Sequence, residues 1–599
     1  MFLPKLNNIA TSRDIVDVFS GYNHNLRIGD GEFYEMENLT STHYPVLSPR
    51  GKRGTYQYPE GSGNDHTPNG LVAKDALCYV DGTKLFINNE EIVGLVLTDS
   101  PKQLISMGAY IIVMPDKKYV NTKDFTDYGN IEASFPSAAG SIITATYEMC
   151  KLDGSVYEDV IKNSTAPEDP SNMQLWIDTS SIPHSLKQYS ETSKVWNQIA
   201  TTYIRISAPN IAASFKQYDA VKISGLPTDR IPQLEDLEGK TSVLWDAHHD
   251  EENPSNDYIV VIGFIDEVVT QETELHIERT MPIMDFIIES GNRLWGCRYG
   301  ESVNGEIVNE IYASKLGDFK NWNCFMQIST DSYVASLGTD GQFTGAITHL
   351  GYPLFFKENY VHKVYGNYPA NFQIQTTACR GVQEGSGKSL AIVNEVLYYK
   401  SRNAVCAYDG SLPVEISSSL GDEYYSDAVA ASHSNKYYVS MKDSSGTYNL
   451  FVYDARKGLW HKEDNLAVRE FCSCRNELYY ILQDGTEIKT MFGSGTVDTA
   501  PVKWMAETGV IGMYTPDKKY ISRLNIRMST DIGTKVQLYV QYDSCGVWEL
   551  VYTMTSTSLR SFSVPIRPRR CDHFRLRIVG EGDAKVFSIA KTLEQGSDR

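Results

Sequence analysis

A hydrophobic-aromatic strand, a turn and a second strand recur in this chain at a spacing that few folds accept. The phrase reads Leu354-Phe355-Phe356, Leu397-Tyr398-Tyr399, Tyr437-Tyr438-Val439 and Leu478-Tyr479-Tyr480, with an earlier form at Arg293-Leu294-Trp295-Gly296. Phe355 to Tyr398 is 43 residues, Tyr398 to Tyr437 is 39 and Tyr437 to Tyr479 is 42. A period near 40 with several strands per repeat predicts β-propeller blades. Two further copies stand early in the chain. Leu77-Cys78-Tyr79-Val80 turns through Asp81-Gly82 into Lys84-Leu85-Phe86-Ile87, and Asp-Gly is a strong two-residue hairpin signal. The second runs from Tyr110 to Met114, turns at Pro115-Asp116 and returns at Tyr119-Val120.

Two early blades and about five later ones make an all-β propeller of about seven. The expected domains follow from where the phrase stops. Residues 1–70 read as an N-terminal extended arm on the surface, because Pro45 and Pro49 bias their neighbours toward extended backbone. Residues 61–69 read as a loop by composition. Residues 71–134 hold the first blades. Residues 135–281 lose the aromatic phrase but keep alternating segments such as 203–206, 218–225 and 258–265, which suit an inserted small β-barrel or sandwich. A separate domain followed by an independent propeller is the alternative. Insertion is preferred, because two hairpins alone cannot bury a core. Residues 282–495 hold the remaining blades. Residues 496–599 carry longer alternating strands and predict a C-terminal β-sandwich, in which Phe574, Leu576 and Ile578 face the core while Arg575 and Arg577 face out.

The formal net charge is -20, which argues against a broad basic face that grips nucleic acid. The ten cysteines form no C-x-x-C pair, so Cys472 and Cys474 read as small apolar residues on one strand face, folded in a reducing cytoplasm. The N-terminus lacks a signal-peptide pattern and no run reaches the ~18 apolar residues of a membrane helix, so a soluble chain with no membrane anchor is expected.

Chemical motifs are few. Gly385-Ser386-Gly387-Lys388-Ser389 resembles a phosphate loop but has Val382 where that motif needs glycine, and a strand follows it. Asp246 to Glu252 contains two adjacent histidines and reads as a solvated acidic loop. Ser314 to Trp322 resembles the Asp-box turn of sialidase propellers with Gly317 and Asp318 in reversed order, and reads as a blade turn capped by Trp322. No carboxylate pair is promoted over the rest as a glycosidase pair. No catalytic residue, metal or cofactor is therefore expected. The strongest basic cluster is Arg567, Arg569, Arg570, Arg575 and Arg577, joined by Lys518 and Lys519. It reads equally as a contact for an acidic partner and as a solvated sandwich face.

These features together resemble the β-propeller tail proteins of double-stranded DNA bacteriophages, the nozzle, tail tubular or packaged-DNA stabilisation type. The resemblance rests on Glu37-Asn38-Leu39 through Leu47-Ser48-Pro49-Arg50-Gly51 and on Asn292 to Trp295 with Ile311 to Ser314, Asp318, Asn321 and Trp322. It continues in the phrases at 354–366 and 397–410, in residues 218–225, which are similar to an insertion barrel of such proteins, and in the C-terminal 566–597 stretch. The resemblance implies a non-enzymatic structural virion protein of the tail or head-tail connector, made in the host cytoplasm. It implies a self-assembled ring, commonly a hexamer, below the portal and adaptor proteins. Such a ring continues the channel for double-stranded DNA without sequence specificity, retaining the genome and then releasing it. A net negative lining would keep phosphates from sticking. The competing readings are a receptor- or carbohydrate-binding tail propeller, which could also cleave glycans, and a cellular scaffold propeller.

Overall fold

The computed structural model describes residues 11–59, 65–302, 304–493 and 496–595. The first ten residues, positions 61–64 of the expected loop and positions 596–597 of the C-terminal stretch lie outside the described residues. Seven four-stranded sheets carry the repeat among the described residues. In each, the aromatic phrase is the second strand: Ala76–Asp81, Tyr110–Met114, Arg293–Glu301, Tyr352–Lys357, Val396–Lys400, Lys436–Lys442 and Glu477–Leu482. These strands are nearly continuous in buried residues, because both faces of a blade pack on neighbouring blades. The fold is an all-β propeller with an inserted β-sandwich and a C-terminal β-sandwich. Blades are numbered 1 to 7 in the order of these strands.

The chain divides into two compact units. One comprises residues 1–104, 341–363 and 375–599, the other residues 105–340 and 364–374. In the first unit, Leu354 and Phe356 of blade 4 pack with Leu397 and Tyr399 of blade 5. Tyr438, Leu450 and Val452 of blade 6 pack with Leu478 and Tyr480 of blade 7. Blade 7 then packs on blade 1, through Cys472, Cys474 and Ile481 against Leu71, Leu77 and Tyr79. Residues some 400 positions apart thus share one core. Cys472 and Cys474 are buried on the same side as small apolar groups.

The N-terminal segment is not a surface arm. Thr11–Val16 pairs antiparallel with Ala584–Gln595 as an edge of one sandwich sheet. Glu32–Glu37 pairs with Lys503–Thr508 inside the other sheet. Gly54–Thr55 pairs with Ile488–Thr490 and supplies the fourth strand of blade 7. Met36, Leu39 and Leu47 are buried in the sandwich core. The physical reason is partner demand: the backbone polar groups of a sheet's last strand are satisfied by a segment drawn from the other end of the chain. The C-terminal sandwich therefore needs N-terminal strands as well as residues 503–595.

In the second unit, Ile105, Met107 and Ile112 of blade 2 pack with Ile287 and Leu294 of blade 3. Between these blades in sequence lie a five-stranded sheet of strands from Ile143–Cys150 to Val269–Thr273, and a four-stranded sheet that includes Ala133–Phe135 and His276–Arg279. Both sheets feed one core, with Tyr147, Ile204 and Ile259 from the first and Val221 and Ile277 from the second. The Asp-box-like turn secures this insert. Asn321 accepts from the backbone N–H of Ala220 at 2.8 Å and donates to Asp219 at 2.9 Å. Asp219 is also paired with buried Arg279, whose guanidinium donates to the Ile131 carbonyl. Asn321→Ala removes two buried hydrogen bonds and is expected to cost about 1–3 kcal/mol. Limited proteolysis should then cut within 135–281 at a protease concentration that spares the parent protein.

Candidate functional site

Blade 6, the N-terminal segment and the sandwich edge together enclose two contiguous depressions. One, of about 520 Å³, is lined by Thr40, Thr42, His43, Lys436 and Glu463, with Thr530 and Asp583 from the sandwich. The other, of about 620 Å³, is lined by His433, Asn435, Lys436, Arg456, Lys457 and Phe492. Thr42, Lys436, Tyr438 and Phe492 belong to both and make one groove. Sequence patterning builds it directly. Lys436 and Tyr438 alternate along the aromatic strand of blade 6, while Ser434 and Asn435 form its tight turn with positive φ.

The Phe492 ring is 48% exposed and leans on the His433 ring, with centroids 4.8 Å apart. Beside it the Lys436 ammonium donates to the hydroxyls of Thr40 at 3.0 Å and Thr42 at 3.4 Å. Burial lowers the Lys436 pKa, while Glu463 and Asp454 oppose the shift. Lys457 lies 5.3 Å over the half-exposed Tyr44 ring and donates to the Ser41 carbonyl. The second depression thus holds Lys436, Arg456 and Lys457 against the single carboxylate of Asp454. That carboxylate is already occupied. It accepts from the Ser41 hydroxyl at 2.6 Å and from the backbone N–H groups of Arg456 and Lys457 at 3.2 Å. Burial would push Asp454 up, but the Ser41 hydrogen bond and the two lysines outweigh it and hold the carboxyl below its usual range. The second depression is therefore locally cationic beside an exposed ring, on a chain of net charge -20.

The groove floor is ionic. Arg53 donates to Glu463 at 2.7 Å and pairs with Asp464, and Arg50 donates to Asp498 at 2.7 Å. Oε2 of Glu463 is engaged by Arg53, with Arg50 at 4.0 Å, which ties this carboxylate into the ionic floor. Below the same strands, burial pushes His461 down to about 3, with Lys436 adding to the effect. Burial likewise pushes His362 down to about 4. Both rings stay neutral in the fold below the ordinary histidine range, whereas the unfolded chain takes up protons there. Stability is therefore lost as pH falls from about 6.5 toward these folded values, by up to about 1.4 kcal/mol per pH unit for each ring. Urea midpoints at pH 7 and pH 5 should differ in that sense, and His461→Asn should reduce the difference.

The basic cluster expected in the sandwich is divided. Arg575 and Arg577 both reach Glu507, at 3.1 and 2.6 Å. Arg575 stacks on Tyr34 and Arg577 on Trp548. Their acidic partner lies within the chain, and Glu507 is buried. Lys519 is 1% exposed and donates to the carbonyls of Thr515 and Asp572, so it is not part of a surface patch. Arg567, Arg569 and Arg570 are exposed, and Arg569 donates to Glu549 at 2.8 Å. Sequence reasoning missed the groove because its residues come from five distant stretches.

The phosphate-loop look-alike is structural. The Ser386 hydroxyl accepts from the Ala428 N–H, and the Ser389 hydroxyl accepts from the Lys400 N–H. Lys388 pairs with Glu470. In the 246–252 loop, His249 and the backbone N–H of Asp250 both bond Asp257, which holds a turn. Among the described residues no three ligand-type side chains converge on a metal position, and no helix is long and apolar enough to cross a membrane.

No family model and no curated protein matches the chain. Among solved structures it is similar to an exo-β-1,3-galactanase of Phanerochaete chrysosporium, at 11% identity over 51% of this chain and 94% of that one, with a TM-score of 0.22. It is also similar to the Trypanosoma rangeli sialidase in complex with sialic acid, at 10% identity over 98% of this chain and 97% of that one, with a TM-score of 0.23. The expectation of a non-enzymatic chain is corrected by these neighbours, which are glycoside hydrolases and a sialidase. At such identities the likeness is one of β architecture.

Proposed function

We propose that this chain is a bacteriophage tail propeller that engages carbohydrate in the blade 6 groove. The observation that carries the reading is the exposed Phe492 ring set beside Lys436, Thr42 and Asn435 in a depression of about 620 Å³. An open ring face stacks on a sugar face, and the ammonium, hydroxyl and amide groups satisfy its hydroxyls. The test is a glycan array followed by titration of the best oligosaccharide. Phe492→Ala should weaken binding about tenfold, the loss of roughly 1.4 kcal/mol of ring contact. Lys436→Met should weaken it further at low salt. Absence of any retained glycan, or binding unchanged in both variants, would sink the reading.

A ring that continues a DNA channel is the second reading, and one observation favours it. The N-terminal segment is woven into both the last blade and the C-terminal sandwich, a rigid join suited to a mechanical component. The net charge of -20 agrees with a passage that does not hold phosphates. Negative-stain images of the purified protein would decide: closed rings of uniform copy number are expected, and monomers at micromolar concentration would exclude it.

A further inference from the structure

The hairpin of the C-terminal sandwich between Lys535–Tyr542 and Glu549–Met554 carries Asp543, Ser544, Cys545 and Gly546 at its turn. Asp543 and Ser544 both have φ of +49°. Left-handed backbone is uncommon for a non-glycine residue and holds the serine out at the tip of the turn. The Ser544 hydroxyl lies 2.7 Å from Nε2 of His573. Nδ1 of the same ring lies 3.0 Å from a carboxylate oxygen of Asp572. The three groups therefore stand in the order hydroxyl, imidazole, carboxylate. Each imidazole nitrogen has one partner, which sets Nδ1–H toward the acid and leaves Nε2 as the acceptor of the serine proton.

The placement is anchored. Oδ1 of Asp543 accepts from the backbone N–H of Asp572 at 2.7 Å and of His573 at 3.4 Å, tying the turn to the strand that carries the imidazole. The hydrogen bond from His573 holds the Asp572 carboxyl below its usual range. Ser544 is exposed, and a Cβ built on Gly546, two residues on in the same turn, would meet no atom within 4 Å. Arg567, Arg569 and Arg570 occupy the exposed stretch that leads directly into Cys571, Asp572 and His573. Arg569 also stacks over Tyr542 at the base of the hairpin.

We infer that Ser544, His573 and Asp572 form a second functional site, a serine esterase centre for a short acyl ester carried on an anionic alcohol. Ser544 Oγ attacks the acyl carbonyl as His573 Nε2 takes its proton. The tetrahedral adduct collapses, the C–O bond to the alcohol breaks, and His573 returns the proton to the leaving oxygen. Water, deprotonated by His573, then attacks the acyl-serine ester and releases the carboxylic acid and free Ser544. No oxidant or cofactor enters the balance. Ser544 and His573 are the catalytic residues and Asp572 positions the imidazole. The open turn suits a short acyl group, and the exposed Arg567 beside the stretch that carries Asp572 and His573 favours a negatively charged alcohol portion.

The full-length protein is treated with a fluorophosphonate probe, and labelled peptides are mapped by mass spectrometry. Label on Ser544 is expected. It should be absent in Ser544→Ala, slowed on the order of 10²–10⁴-fold in His573→Gln, and retained in Cys545→Ser. With p-nitrophenyl acetate as substrate, Asp572→Asn should lower kcat and leave KM near the parent value, which a merely structural role would not produce. Thermal midpoints of the variants check that each is folded; all three triad positions lie at or beside an exposed turn. No label on Ser544 of the native protein, or labelling that His573→Gln leaves unchanged, would overturn the assignment.

Discussion

Arg53→Met should unfold at a much lower urea concentration than the parent protein, with a loss of about 3–5 kcal/mol. Its side chain is 4% exposed and meets two carboxylates, Glu463 at 2.7 Å and Asp464. Its backbone N–H donates to a third, Asp498, at 2.9 Å. Arg50 is the other cation, donating to Asp498 at 2.7 Å and to Asn38 at 2.7 Å. Without Arg53, three carboxylates share one guanidinium in a largely buried setting. The cost is that of leaving charge uncompensated, and it exceeds the net worth of the intact pair. Glu463→Gln in the Arg53→Met background should therefore recover part of the loss, which the coupling energy of the double-mutant cycle measures. Arg53→Lys should fall between, because one ammonium cannot reproduce a fork that serves two acids. Burial would raise Asp498, but Arg50 and Arg53 outweigh it and hold its carboxyl low. This carboxylate contributes stability above the unfolded carboxylate range near pH 4, and that contribution is lost as pH falls through its folded value. Arg53 stands next to Gly54–Thr55, the strand that completes blade 7. The same variant should therefore expose the last blade to hydrogen exchange first.

The propeller was legible because each aromatic phrase is the second strand of a blade, buried on both faces, and burial on both faces writes a continuous apolar run. Tyr398, Tyr437 and Tyr480 show this. The strand that completes blade 7 was not legible. Gly54-Thr55 is two residues long and has no apolar pattern; it pairs through its backbone alone. The same holds for Thr11–Val16, whose partner strand lies more than 560 residues away. In the C-terminal sandwich the alternation at 574–578 placed Arg575 and Arg577 on the outer face, but period two says nothing of what an outward side chain meets. Glu507, their shared partner, lies on the neighbouring strand. The groove behaves likewise: Lys436 and Phe492 are ordinary residues locally and become a site only when Thr40 and Thr42 arrive from the N-terminal segment. Ser544 and His573 are 29 residues apart with no motif between them. They are brought side by side by the long-range pairing of Lys535–Tyr542 with Phe574–Glu581.

Trp460→Ala is the second variant expected to have a large effect, at about 3–5 kcal/mol. Trp460 is 2% exposed and lies in the outer strand of blade 6. Its ring lies 5.0 Å from Tyr453 and 6.4 Å from Phe451, and its indole N–H donates to the Ile416 carbonyl at 2.7 Å. Truncation therefore opens a cavity the size of an indole and leaves the Ile416 carbonyl without that donor. The backbone at this point is committed as well. A Cβ on Gly21 would stand 2.3 Å from the Trp460 carbonyl oxygen, at a φ of +87°. The N-terminal segment can pass blade 6 so closely only as glycine. Gly21→Ala should thus destabilise by a different route, strain without a cavity, and the two routes separate on rescue. A small apolar ligand such as benzene should raise the thermal midpoint of Trp460→Ala by filling the void and leave that of Gly21→Ala unchanged. If benzene stabilised both variants equally, the loss in Trp460→Ala would not arise from a defined cavity. The join between the N-terminal segment and blade 6 would then be more plastic than its packing implies.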